Sequence, residues 1–152
     1  MDDEPPEFPT RSFPGRGGPQ PLVVGRLSSL TLPNALVAAR AASAKTLETT
    51  VVLDVGDLIG ITDYFVITAG RNERQVRSIV DEVSRRVREL AGLSAQQVEG
   101  LEGLHWVLLD YGDFVVHVFD TAARSLYSLE RLWADAPRVA VDDAVPAELS
   151  GS

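Results

Sequence analysis

The stretch ITDYFVITAGRNERQVRSIVDEVSRRVRELA, residues 61–91, decides the fold. Its first eight residues are rich in β-branched and aromatic side chains, which predicts a strand over 61–68. Asn72 has the side chain of a helix N-cap, and Gln75 stands at the reciprocal position three residues later. The apolar residues that follow recur at helical spacing until Gly92, which predicts a long amphipathic helix ending there.

The chain on either side of this unit predicts the remaining elements. Helices are predicted over residues 33–48 and 126–133, strands over 49–55, 97–99, 105–110 and 114–119, and a turn at Gly56 and Asp57. Two adjacent strands, a crossover helix and a hairpin predict an α/β (α+β) fold, a single domain with a mixed β-sheet flanked by helices. The strands are continuous apolar runs, so we expect both faces of the sheet to be buried.

The length and composition predict one domain with two flanking segments. The chain has 152 residues, and residues 1–30 contain six of its nine prolines. This predicts a disordered Pro/Gly-rich extension, and its acidic start is unlike that of a signal peptide. Residues 134–152 are predicted to form an acidic C-terminal tail, which leaves residues 31–133 as the folded domain.

The charge and the residue types exclude several classes of protein. The formal net charge is -8, whereas phosphate contacts need a surplus of Lys and Arg, so generic binding of nucleic acid is not expected, and direct sequence-specific binding is not expected either. A ribonucleoprotein machine would instead be reached through a basic protein partner. The chain has no cysteine, which excludes disulfides and thiolate metal sites. Because no apolar run approaches the length of a bilayer span, no membrane association is expected.

Aspartates at strand ends are the carboxylates that an enzyme of this class could use. They are Asp54, Asp63, Asp110 and Asp113. The spacing of Asp110 and Asp113 spans a turn and lacks the alternation that two-metal phosphoryl chemistry needs. There is also no phosphate-binding loop and no nucleophile elbow. We therefore predict no catalytic residue and no cofactor, and we favour turn closure as the role of these side chains.

The histidines and tryptophans of the hairpin region admit two interpretations each. Antiparallel pairing could bring His105 and His117 to a shared metal, but a buried sheet histidine and a strand-edge histidine are favoured, so no metal is predicted. Large aromatic side chains dominate binding hot spots. The region from Trp106 to Tyr111 is therefore as good a candidate for binding as for packing, and one of Trp106 and Trp133 is expected in the core.

Seven sequence blocks resemble the ribosomal silencing factor (iojap) family. They are VLDV at 52–55, ITDYFVI at 61–67, NERQV at 72–76 with Gly70 before it, EG at 99–100, WVLLDYGD at 106–113, VVHV at 115–118 and YSLERLW at 127–133. The blocks occur in family order, and the resemblance spans about residues 34–137, essentially the whole predicted domain. The chain is thus identified as a member of this family, with residues 31–133 as its ribosomal silencing factor domain.

The resemblance implies a function that involves binding and no catalysed reaction. Family members bind ribosomal protein fourteen of the large ribosomal subunit, block association with the small subunit and repress translation under nutrient limitation, while organellar relatives act in ribosome biogenesis. The resemblance thus implies a cytoplasmic translational repressor that is not an enzyme, with a nucleotidyltransferase-like topology. The resemblance also leaves open that the protein forms a homodimer. The alternative function is that of a nucleotide- or metal-dependent transferase.

The resemblance also assigns the residues that bind the ribosomal protein. Trp106 is the anchor, Leu109 and Tyr111 add apolar contact, and Asp110 and Asp113 meet basic side chains. Glu130 and Arg131 belong to the last block and close one side of the interface. For three further motif positions we favour a structural role over a binding role, in turn closure and helix capping: Asp63, Glu73 and Arg74.

Overall fold

A six-stranded mixed sheet organises the part of the chain that the computed structural model describes, residues 30–141. In chain order, the elements are α1 (Thr31–Ser43), β1 (Val51–Asp54), α2 (Gly56–Ile59), β2 (Tyr64–Gly70), α3 (Glu73–Ala91), β3 (Gln97–Glu99), β4 (Trp106–Asp110), β5 (Phe114–Asp120), α4 (Thr121–Tyr127), α5 (Leu129–Leu132) and β6 (Arg138–Val139). The α/β class and the mixed sheet predicted from the sequence are confirmed.

The strand order is β3-β4-β5-β2-β1-β6. β2 and β5 pair in parallel, from Tyr64 opposite Phe114 to Gly70 opposite Asp120. The other pairings within residues 30–141 are antiparallel and include the predicted β4–β5 hairpin. A parallel pair needs a crossover connection, and α3 supplies it by carrying the chain from the end of β2 back across the sheet.

Helices cover both faces of the sheet, as the apolar runs predict. On one face, the alanines of α1 and the valines of α3 pack on Val66 and Val116 of the central strands. On the other face, α4 and α5 cover aromatic side chains, with Phe65, Phe119 and Trp106 among the buried residues. β4 is buried along its whole length, and β5 is buried except at Asp120. The sheet is therefore a central layer and not an exposed surface.

The long helix begins and ends as the sequence predicts. The Asn72 side chain accepts a hydrogen bond from the Gln75 backbone N–H at 2.8 Å, which satisfies a donor of the first turn. The Gln75 side chain accepts in return from the backbone N–H of Arg71 at 2.7 Å, one residue before the N-cap. Gly92 ends the helix in the left-handed conformation, at φ 71°.

The predicted helix over 33–48 is too long, because α1 ends at Ser43. Beyond it, the Thr46 hydroxyl donates to the Ala69 carbonyl at 2.9 Å and accepts from the Glu48 N–H at 3.0 Å, so the chain turns toward the sheet. The turn predicted at Gly56 and Asp57 is the short helix α2. Its entry is held by the Asp54 carboxylate, which accepts from the Gly56 N–H at 3.2 Å.

The strand predicted over 61–68 instead starts at Tyr64 and reaches Gly70. The residues before it bond to the β4–β5 turn, since the Thr62 hydroxyl donates to the Gly112 carbonyl and the Asp63 N–H donates to the Asp113 carbonyl. The strand predicted over 49–55 is shortened to Val51–Asp54. The short strand at 97–99 is confirmed.

The C-terminal part differs most from the prediction. The helix predicted over 126–133 is two helices, α4 and α5, which are separated by Ser128 at φ 47°. α4 begins at Thr121 because the Asp120 side chain caps it by accepting from the Ala123 N–H at 2.8 Å. β6 was not predicted and lies within the segment 134–152 assigned to a tail. Residues 1–29 and 142–152 lie outside the described residues.

The N-cap of α3 gives a first testable prediction. Replacing Asn72 by alanine removes the acceptor for the Gln75 N–H, so we expect the free energy of unfolding to fall by about 1 kcal/mol. Urea denaturation monitored by circular dichroism measures this change. Asn72→Asp is the matched control, because aspartate caps helices about as well as asparagine. Equal loss in both variants would contradict a capping role.

Candidate functional site

Trp106, the predicted anchor, lies at the start of β4 beneath the C-terminal helices. Its ring centroid lies 4.3 Å from that of Tyr127 on α4 and 4.8 Å from that of Phe119 on β5. Only 9% of Trp106 is exposed. The side chain therefore packs α4 onto the sheet and lies largely beneath the molecular surface. Trp133 is half-buried, and its ring centroid lies 6.0 Å from that of Phe65.

His117 is the buried partner of Trp106. The indole Nε1 of Trp106 donates to His117 Nδ1 at 3.1 Å, which assigns the imidazole proton to Nε2. Nε2 is buried without a hydrogen-bond partner among residues 30–141, and the edge of Phe65 packs against the ring at 4.6 Å. Burial lowers the pKa of His117 to about 3, so the ring is neutral at physiological pH. This is the predicted buried sheet histidine.

The β4–β5 turn holds Asp110, Tyr111 and Asp113. The Asp110 carboxylate accepts from the Gly112 N–H at 2.8 Å, and Gly112 has φ 89°, so Asp110 closes the turn as predicted. The ring of Tyr111 stacks on Phe114 at 4.8 Å, and burial raises the pKa of its hydroxyl. Asp113 is exposed, and its carbonyl accepts from the Asp63 N–H at 2.8 Å.

The predicted contact residues of β4 and its turn divide between the two faces of the sheet. Trp106 packs in the cluster under α4 and α5, whereas Leu109 and Tyr111 pack in the cluster under α1 and α3. Both of those, like Asp110, are buried. Side chains alternate along a strand, so consecutive aromatic and apolar residues cannot share one patch. Of the predicted contact residues, only Asp113 and Arg131 are exposed.

The α4–α5 pair carries the remaining predicted residues. Glu130 is partly buried and receives two hydrogen bonds from the Arg124 guanidinium, at 2.9 and 3.2 Å. Arg124 also donates to the Thr49 carbonyl at 2.6 Å and so ties the helices to the loop before β1. Glu130 thus has a structural partner.

Two exposed leucines on this pair were missed by the sequence reasoning. Leu126 and Leu132 are 64% and 65% exposed. The sequence predicts one helix over 126–133, and such a helix is expected to bury its apolar residues on one side. The break at Ser128 turns both leucines to solvent, and two helices of seven and four residues carry too little periodicity to reveal this.

The two histidines do not meet. His105 is exposed, and its Nδ1 lies 2.7 Å from the Asp120 carboxylate, while His117 is buried against Trp106. No group of three or more His, Asp or Glu within residues 30–141 is arranged to hold a metal ion. In that same range, no helix combines the length and the apolarity required to cross a membrane.

The low pKa of His117 makes the stability of the domain pH-dependent. On acidification, the unfolded chain binds a proton near pH 6.5 and the folded chain does so only near pH 3, so the free energy of unfolding falls with pH between these values. From pH 6.5 to 5, this loss is about 1.5 kcal/mol. The variant His117→Gln keeps an acceptor for Trp106 but does not titrate. Between the two pH values, we expect its free energy of unfolding, measured by urea denaturation, to fall by about 1.5 kcal/mol less than that of the wild type. Equal losses of the free energy of unfolding in the wild type and in the variant would show that His117 is not the cause of the pH dependence.

Comparisons with known proteins identify the family. The family model described as "Ribosomal silencing factor during starvation" matches residues 29–151. A ribosomal silencing factor RsfS from Halalkalibacterium halodurans is 38% identical over 109 residues, which cover 72% of this chain and 92% of that protein. The Bacillus subtilis protein of the same name is 40% identical over 106 residues, covering 70% of this chain and 89% of that protein.

A solved structure agrees with these sequence matches. The crystal structure of a protein from Chromobacterium violaceum superposes with a TM-score of 0.64 at 30% sequence identity, covering 68% of this chain and 86% of that one. The likeness thus extends from the sequence blocks to the arrangement of the sheet and helices. The chain belongs to the ribosomal silencing factor family.

Proposed function

We propose that this protein binds ribosomal protein fourteen of the large ribosomal subunit, blocks association with the small subunit and represses translation in the cytoplasm under nutrient limitation. The observation that carries the proposal is the family match, because it spans all but the first part of the chain and includes the whole described domain. Such a repressor acts by occupying a surface, so it needs neither a reacting group nor a cofactor.

Charge supports a basic protein as the partner. The loop after β1, the start of β2 and the β4–β5 turn lie at the same end of the sheet, since Asp54 pairs with Tyr64 and Tyr64 pairs with Phe114. This acidic end carries five carboxylates, those of Asp54, Asp57, Asp63, Asp110 and Asp113. Complementary charge of this kind speeds and orients docking on a basic ribosomal protein.

The exposed and the buried residues have different roles in this proposal. Asp113 at the acidic end and Arg131 on α5 contact the partner directly. Trp106, Leu109, Tyr111, Asp110 and Glu130 act as positioning residues, since each is packed or paired within the domain. They fix the turn and the helical pair in the shape that docks.

The exposed leucines extend the proposed surface. Leu126 and Leu132 supply apolar area beside Arg131, which charge alone does not give. The chain after α5 returns to the acidic end, because the Pro137 carbonyl accepts from the Asp54 N–H at 2.8 Å. An apolar patch on α4–α5 next to an acidic rim is the usual composition of a specific interface.

Subunit joining tests the function itself. Purified large subunits are incubated with the protein, small subunits are added, and joined ribosomes are separated on a sucrose gradient. We expect saturating protein to reduce the joined fraction. Full joining in the presence of bound protein would overturn the proposed block, and failure of the protein to co-sediment with large subunits would overturn the proposed partner.

Charge reversal at the turn tests the acidic end. Asp113→Lys places a cation against a basic partner, so we expect affinity for purified large subunits to fall at least about tenfold. Glu102→Lys is the matched control, because Glu102 is an exposed carboxylate in the β3–β4 loop, at the end of the sheet opposite to Asp113. Co-sedimentation measures both affinities. Equal affinities for the two variants would remove Asp113 from the interface.

A polar substitution on α5 tests the apolar part of the surface. Leu132→Asp removes apolar contact, so we expect about a tenfold or greater loss of large-subunit binding with an unchanged melting temperature. Leu90→Asp is the control, since Leu90 is 63% exposed on α3 and matches Leu132 in exposure. If the Leu90 variant binds no better than the Leu132 variant, α5 is not part of the contact.

A further inference from the structure

Basic side chains are concentrated on α3 and the loop before β1. Six of the ten Lys and Arg residues within 31–133 lie there, and Arg71 comes just before the N-cap of α3; the six are Lys45, Arg74, Arg77, Arg85, Arg86 and Arg88. The start of α3 follows Gly70, which pairs with Asp120 at the end of the sheet opposite to the acidic end. Lys45, Arg71, Arg74 and Arg77 lie at this end, whereas Arg85, Arg86 and Arg88 lie on the half of α3 that returns toward the acidic end, where Arg88 is close to Tyr111.

An open groove runs along α3 from the end of the sheet opposite to the acidic end. Its volume is about 370 Å³, and it is lined by Lys45, Arg74, Arg77 and Arg85 together with Asp81 and Glu82. The four cationic and two acidic groups leave a net charge of +2. The groove was not singled out from the sequence, where the arginines of α3 are only the polar side of an amphipathic helix.

The cations of the groove are not equivalent. Glu82 accepts from Arg85 at 2.9 Å and from Arg86 at 3.0 Å, and these hydrogen bonds lower its pKa. Arg85 also bonds Glu89, so this cluster is satisfied within its own helix. Lys45, Arg74 and Arg77 are exposed, and their side chains form no ion pair or hydrogen bond with the residues of 30–141.

We infer that Lys45, Arg74 and Arg77 bind the phosphate backbone of RNA. Lys45, Arg74 and Arg77 lie side by side along the open groove, with Arg74 and Arg77 three residue steps, about 4.5 Å, apart along the helix. A row of exposed cations matches a linear polyanion, whereas a single phosphate ligand needs donors that converge in an enclosed pocket. Such contacts carry no sequence information. They depart from the expectation that the net charge excludes generic binding of nucleic acid, because the cations are gathered locally at the groove.

The inference deepens the proposed function, on which it rests for the source of the RNA. A factor docked on the large subunit through a basic protein has ribosomal RNA beside it. The acidic end then faces the protein and the basic groove faces the RNA. Two contacts of opposite sign, at opposite ends of one sheet, fix the orientation of the domain more strictly than either contact alone.

The salt dependence of binding tests the groove. Lys45→Gln, Arg74→Gln and Arg77→Gln are combined, and the affinity for large subunits is measured from 50 to 200 mM salt. This variant lacks three cations that would each neutralise a phosphate, so we expect the negative slope of log K against log [salt] to become shallower by about 2. The ratio of wild-type affinity to variant affinity then shrinks about twentyfold over this range. Single Arg77→Gln and Arg85→Gln variants form a matched pair, because Arg85 lies on the same helix but is held there by Glu82 and Glu89.

A photo-crosslinker at Ser78, which also lines the groove, identifies what lies against it on the subunit. Crosslinking to RNA together with the reduced salt slope supports the inference. An unchanged slope in the triple variant, no crosslink, or a crosslink only to protein each overturns it, and the last would identify a protein as the occupant. If wild-type protein does not bind large subunits, the proposed function fails first. The groove is then judged on a 20-base-pair RNA duplex, where binding by the wild type but not the triple variant supports it and no binding overturns it.

Discussion

The parallel pairing of β2 with β5 is the constraint on which the rest of the domain depends. Because parallel strands cannot be joined by a tight turn, the chain between them must cross the sheet, and α3 is the element that does so. The pairing also requires an abrupt exit from β2. A Cβ atom at Gly70 would lie 2.9 Å from the Val76 backbone nitrogen, so the absence of a side chain lets α3 begin directly at the end of the strand.

The same pairing distributes charge between the ends of the sheet. Strands β2 and β5 end together, and each is followed by a helix, so the arginines at the start of α3 gather at that end. The opposite end receives the loops that enter β2 and β5, and these are closed by aspartates such as Asp54 and Asp110. Turn chemistry and helix patterning, which serve the fold, thus also produce an acidic and a basic surface on one domain.

The sequence predicted the elements that local patterns determine. α3 combines 19 residues of helical periodicity with a cap at each end, and the β4–β5 hairpin has a glycine turn, so both were predicted correctly. β6 has two residues, and its position depends on the open edge of β1, a contact distant in sequence. The α4–α5 break was missed for a similar reason, because a single residue at Ser128 decides it.

The candidate site was only partly accessible to sequence reasoning. The residue types of the 106–113 block indicate importance, but they do not say which side chains reach solvent. With helices on both faces, alternation along β4 buries Trp106 and Leu109 alike, on opposite sides. The residues that remain outside, Leu132 and Asp113 among them, lie where irregular structure begins. Their exposure follows from tertiary packing, which no local pattern encodes.

The short strands at the two edges of the sheet bear on how the molecule meets its own copies. Within the described residues, one edge is β3, with three residues, and the other is β6, with two. A strand from a second molecule would gain only a few backbone hydrogen bonds at either edge, too few to hold a continuous intermolecular sheet. Self-association would then depend on helical surfaces, which also carry the leucines and arginines proposed for the ribosome. Any dimer formed through those helical surfaces would therefore compete with the proposed docking on the ribosome.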